Sequence, residues 1–86
     1  MDVMRLNELP PHEAATIRVI DWSLLKTSEA RRMRELGFDE GVRVETLHRG
    51  PVGMDPIACR VGRMTIALRR ATAAAVSVDP FPMAAE

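Results

Sequence analysis

Between residues 15 and 22 the chain reads ATIRVIDW, with Ala15, Ile17 and Val19 alternating with Thr16, Arg18 and Ile20. A period of two puts every other side chain on one face, so this stretch predicts a half-buried strand. The period then changes. In EARRMREL (29–36), Ala30, Met33 and Leu36 recur at helical spacing, Thr27 or Ser28 is the expected N-cap, and Glu29 sits near the positive helix end. Gly37 is placed to take the left-handed residue after the helix, which would let Phe38 fold back onto Met33 in a Schellman motif. Asp39, Glu40 and Gly41 make a turn, and VRVETLHR (42–49) predicts a second strand with Val42, Val44 and Thr46 on one face. Continuing that alternation carries His48 to the same inner face.

Residues 50–56, GPVGMDP, hold two Gly and two Pro and predict a connection, while Pro10 and Pro11 make RLNELPPHEA (5–14) an irregular lead-in. IACRV (57–61) and MTIAL (64–68) flank Gly62-Arg63, the residues of a type II′ hairpin turn. In that register Val61 opposes Met64, Cys59 opposes Ile66 and Ile57 opposes Leu68, so one face is wholly apolar and the other carries Ala58, Arg60, Thr65 and Ala67. RRATAAA (69–75) makes a short helical turn and VSV (76–78) a last strand, giving five strands and one helix. So small a chain hides its edges most economically as a partly open barrel. One domain spans 1–78, and DPFPMAAE (79–86) is expected to fray.

Composition narrows the chemistry. Twelve basic and twelve acidic residues cancel, and aromatics are confined to Trp22, Phe38 and Phe81, so neither phosphate attraction nor base stacking is favoured and no nucleic-acid partner is expected. One cysteine forms no internal disulfide, and no apolar run approaches the roughly 18 residues of a membrane span, so the cytoplasm is the expected compartment and any membrane role would come through a partner. No glycine pattern matches a phosphate loop.

Three candidate sites remain. Cys59 points inward in the hairpin register, where an apolar setting leaves a thiol protonated and inert, so it reads as structural and no enzyme activity is expected. His48 and Cys59 on one inner face are the weak candidates for a metal, since imidazole and thiolate suit Zn(II) or Fe(II), but two ligands do not close a site and no cofactor is required. Asp55-Pro56 reads as a turn. The third candidate is a surface: Arg31, Arg32 and Arg34 on the helix, the apolar closure at Leu36 and Phe38, and Arg69 beyond the hairpin make an arginine-rimmed patch of the composition that docking sites favour.

RMRELGFDEGVRV (32–44), GPVGMDPI (50–57) and ALRRATAAAVSV (67–78), in that order and spacing, resemble the FeoA family of ferrous iron transport accessory proteins over roughly residues 5–78. The resemblance implies an SH3-like small barrel in a cytoplasmic, non-enzymatic protein. It implies a position peripheral to the membrane, through docking on the cytoplasmic GTP-binding part of a FeoB-type ferrous iron transporter. Similar SH3-like domains end iron- and manganese-dependent repressors, so a stand-alone metal-binding regulatory module is the alternative. Weak self-association through an open barrel edge fits either. Glu40 stands where the family often has Pro, Met54 separates Gly53 from Asp55-Pro56, and His12 occupies a position where glycine is frequent.

Overall fold

A computed structural model describes residues 4–52 and 55–81. Six antiparallel strands form one sheet: β1 (Met4–Arg5), β2 (Ala14–Ile20), β3 (Arg43–Val52), β4 (Asp55–Val61), β5 (Met64–Leu68) and β6 (Val76–Pro80). They lie in the order β1-β6-β2-β3-β4-β5, so the sheet is open between β1 and β5. Helix α1 (Thr27–Glu35) follows β2 and a single turn, α2 (Arg70–Ala73), precedes β6. The expected mainly β, partly open, small barrel is therefore present, with a sixth strand. That strand and a 3-10 turn, Leu6–Glu8, occupy the region expected to be irregular, and Leu6 and Leu9 are fully buried. The Pro10-Pro11 signal hid an apolar plug whose two leucines close one end of the core.

The hairpin register is as the sequence predicts, from Val61↔Met64 to Ile57↔Leu68. Gly62 has φ +60 and Arg63 is not among the positive-φ residues, the signature of a type II′ turn. The helix stop also matches. Gly37 (φ +97) lets Phe38 N–H reach Met33 O (3.0 Å) and Gly37 N–H reach Arg34 O (3.1 Å), the two bonds of a Schellman motif. The helix start differs. Lys26 is the N-cap, with its backbone N–H bonded to the Glu29 carboxylate (3.1 Å), so Thr27 and Ser28 lie inside the first turn. At the other end of the chain, β6 continues through Asp79 and Pro80, which pair with Thr16 and Ala15. The remainder of the expected fraying tail, 82–86, and the loop residues Gly53 and Met54 lie outside the described residues.

Two mid-strand bulges change which side chains face inward. In β2 the pairing steps from Ile17↔Val78 to Val19↔Ser77 and Ile20↔Val76, so Arg18 is the extra residue. Val19, expected inside, is 43% exposed, and Ile20 is buried in its place. In β3 the pairing steps from Thr46↔Cys59 to His48↔Ala58, making Leu47 the extra residue. A bulge sets two residues against one and so reverses the parity beyond it. His48 is exposed, and Arg49, paired with Ile57, is part-buried in its stead. Its guanidinium donates to the carbonyls of Asn7 (3.1 Å) and Leu9 (2.9 Å), tying the N-terminal plug to the sheet.

His12 explains itself once its backbone is seen. At φ +69 it occupies the left-handed region that favours glycine, and its N–H bonds Thr46 O. Gly50 is required for a different reason: a Cβ there would collide with the Asp55 carbonyl oxygen and lie 2.7 Å from its carbon. Beneath these contacts the Thr46 hydroxyl is buried and finds no hydrogen-bond partner among the described residues. An unsatisfied buried hydroxyl costs more than it returns, so Thr46→Val should raise unfolding stability by about 1 kcal/mol. Chemical denaturation checks this, and a loss of stability would contradict it.

Candidate functional site

Residues 29, 32, 33 and 36 fall on one stripe of α1 and residues 27, 30, 31 and 34 on another, because helical neighbours recur at three and four. Each stripe borders a groove. The first groove, about 190 Å³, lies between α1 and the corner where β5 meets α2, with Leu36, Met33, Ala67 and Leu68 in its walls and Arg32 and Arg69 at its rim. Glu29 also borders it, but both carboxylate oxygens are engaged, one by Lys26 N–H and the other by the Thr72 hydroxyl (3.4 Å). The groove thus carries two guanidinium groups and one carboxylate, and the oxygens of that carboxylate are taken up by donors of its own helix and of α2.

The second groove, about 410 Å³, is lined by Trp22, Leu25, Ala30, Arg31 and Arg34. The Arg34 guanidinium stacks 4.2 Å above the Trp22 ring, a cation–π contact. Trp22, at the end of the expected first strand, is instead the start of a 3-10 turn, Trp22–Leu24, capped by the Asp21 carboxylate accepting from Ser23 N–H (3.1 Å). Asp followed two residues on by Ser is the signal of such a turn. It leaves Leu24 64% exposed beside the tryptophan.

The predicted arginine patch is thus divided. Arg32, Leu36 and Arg69 meet at the first groove, while Arg31 and Arg34 belong to the tryptophan side. Phe38 cannot be its aromatic centre: it is 1% exposed, because the Schellman closure drives it into the core against Met33. Sequence reading missed Ala67, Leu68 and Thr72, whose place depends on how the hairpin packs on α1.

Of the metal candidates, Cys59 is buried and opposes Thr46 and Ile66, and His48 stands on the exposed side of the bulge. The two do not converge, and among the described residues no three His, Cys, Asp or Glu side chains gather in a metal-holding group. The pair therefore does not fit a metal. Asp55 has another task, accepting from Arg70 N–H (2.8 Å) at the start of α2.

Comparison with known proteins places this geometry. The domain is of the small SH3-like class, matched along most of its length by solved prokaryotic structures. A FeoA complexed with zinc from Stenotrophomonas maltophilia, described as a prokaryotic SH3 domain protein, is 41% identical, with a TM-score of 0.76 over 88% of this chain and 89% of that one. A FeoA protein from Chlorobium tepidum is 26% identical, with a TM-score of 0.81 over 92% of this chain and 71% of that one. A manganese-dependent transcriptional repressor at 18% identity shares the fold alone, with a TM-score of 0.78 over 92% of this chain and 42% of the repressor. No match is found among curated protein sequences. The FeoA domain model matches residues 4–80, and the chain belongs to the FeoA family.

Burial pushes the Cys59 thiol up from its ordinary 9.0 to about 11. Because the folded-state value is the raised one, the stabilisation from keeping the thiol neutral is present below about pH 9 and lost as pH rises through about 11. At pH 9 the native thiol should resist a disulfide reagent and react at once in denaturant; fast reaction of the native protein would contradict its burial.

Proposed function

We propose that this domain is a non-enzymatic accessory and regulatory protein of ferrous iron uptake, docking on the cytoplasmic GTP-binding part of a FeoB-type transporter. Membership of the FeoA family over residues 4–80 is the observation that carries the reading. The zinc-bound relative is itself described as a candidate ferrous iron transport activating factor. No described helix is long and apolar enough to cross a membrane, so contact with a transporter would be made by a surface of this domain.

The groove rimmed by Arg32 and Arg69 suits that task. Its floor of Leu36, Ala67 and Leu68 supplies apolar area, and its two cations select an acidic partner surface. Regulation by such contact needs no bond-making chemistry from this chain. The domain would act by favouring one conformation of the transporter over another, in proportion to its difference in affinity for the two. A metal-responsive module is the weaker reading, because likeness to the repressors extends to the fold alone and His48 and Cys59 stand apart.

The test is direct binding to the transporter. Arg32→Glu with Arg69→Glu should weaken binding about tenfold or more and remove the stimulation of Fe(II) uptake, while thermal unfolding stays cooperative. Unchanged binding by the folded variant would exclude this groove as the docking site.

A further inference from the structure

The formal charge of zero conceals a separation. From Pro56 to Val78 the chain carries Arg60, Arg63, Arg69 and Arg70 and no acidic residue. This basic stretch includes β5, the last strand in the sheet order, which among the described residues pairs with β4 and with no other strand. In a two-residue hairpin the closing pair, Val61 and Met64, exchange their backbone bonds, and alternation then turns Met64, Ile66 and Leu68 toward β4. Thr65 and Ala67 therefore direct their N–H and C=O groups away from the sheet. Both residues are exposed, and among the described residues neither bonds any backbone group outside the hairpin.

The inner face of this strand is also incompletely covered. Met64, which shares it with Ile66 and Leu68, is 41% exposed, and the groove of Leu36 and Met33 opens beside Ala67 and Leu68. Arg63 and Arg69 stand at the two ends of the strand. A second copy is a poor occupant. Antiparallel pairing about Ile66, the register that bonds Thr65 to Ala67 across the interface, sets Arg63 against Arg69 at both ends, and like charges directly opposite are destabilising.

We propose that the free edge of β5 is a strand-addition site for an extended segment of another protein, apolar at alternate positions and acidic at both ends. The added strand would bond Thr65 and Ala67, continue the apolar face beyond Met64, Ile66 and Leu68, and set its carboxylates against Arg63 and Arg69. Main-chain bonds supply affinity and the two charges supply register and choice of partner. The edge adjoins the docking groove and shares Ala67, Leu68 and Arg69 with it, but the proposal does not require the transporter to be the partner.

The probe is a capped peptide, Glu-Val-Thr-Val-Thr-Val-Glu, added to the full chain and followed by amide hydrogen exchange. Exchange at Thr65 and Ala67 should slow about tenfold or more, with little change at Met64, Ile66 and Leu68, whose amides are already bonded. The same peptide with lysine ends should bind about tenfold more weakly, and Arg63→Glu with Arg69→Glu should reverse that preference. Ala67→Pro should abolish protection, since an edge proline removes only the outward donor; if that variant fails to fold, the charge reversal decides alone. Unaffected Thr65 and Ala67 amides, equal binding of both peptides, or protection that grows with protein concentration without peptide would each overturn the proposal. Peptide protection in a protein that does not bind the transporter would uphold the edge and sink only the docking reading.

Discussion

One extra residue in β3 decides much of what this domain is. Leu47 interrupts the ladder between Thr46↔Cys59 and His48↔Ala58, and through His48 and Arg49 the parity of the strand is reversed. Without it, His48 would enter the core and Arg49 would face water. With it, the imidazole is exposed and the guanidinium turns in to hold the carbonyls of Asn7 and Leu9. A domain of 86 residues has few apolar side chains to spare, and Leu6 and Leu9 are both among its fully buried ones. The bulge thus fastens the chain's N-terminal plug to its sheet and removes a metal candidate by the same displacement.

The same economy shapes the surface. An open sheet of six short strands leaves two edges, and the short β1 lies beside the plug while β5 stands clear. Helix α1 covers one end of the core and, by the twofold division of its exposed residues, separates an arginine-rimmed apolar groove from the tryptophan side. The polar groups of the first groove are arranged with little waste: Glu29 caps its own helix and accepts from Thr72, and Asp55 holds the start of α2. What is left over on that face is largely cationic and apolar together, next to a strand with one free edge. On the same domain the thiol is buried and the histidine is turned outward.

Legibility in the sequence followed the range of the interactions. The hairpin register, the left-handed Gly37 and Gly62, and the Phe38 closure rest on residues a few positions apart, and all could be read directly. The bulges at Arg18 and Leu47 could not, because a strand pattern says nothing about where its partner ladder gains a residue. Val19 and His48 were misplaced for that one reason. The Pro10-Pro11 signal likewise described a local stiffness and concealed that Leu6 and Leu9 are core. Three residues of the candidate groove, Arg32, Leu36 and Arg69, are legible from composition; Ala67 and Leu68 join it only through tertiary packing, and Phe38 leaves it for the interior.

Cross-strand nuclear Overhauser contacts between β3 and β4 test the parity switch most directly. The account predicts contacts pairing Thr46 with Cys59 and His48 with Ala58, with Leu47 unopposed, and contacts from the Arg49 side chain to Leu9. A regular ladder, with Leu47 against Ala58 and His48 against Ile57, would contradict it.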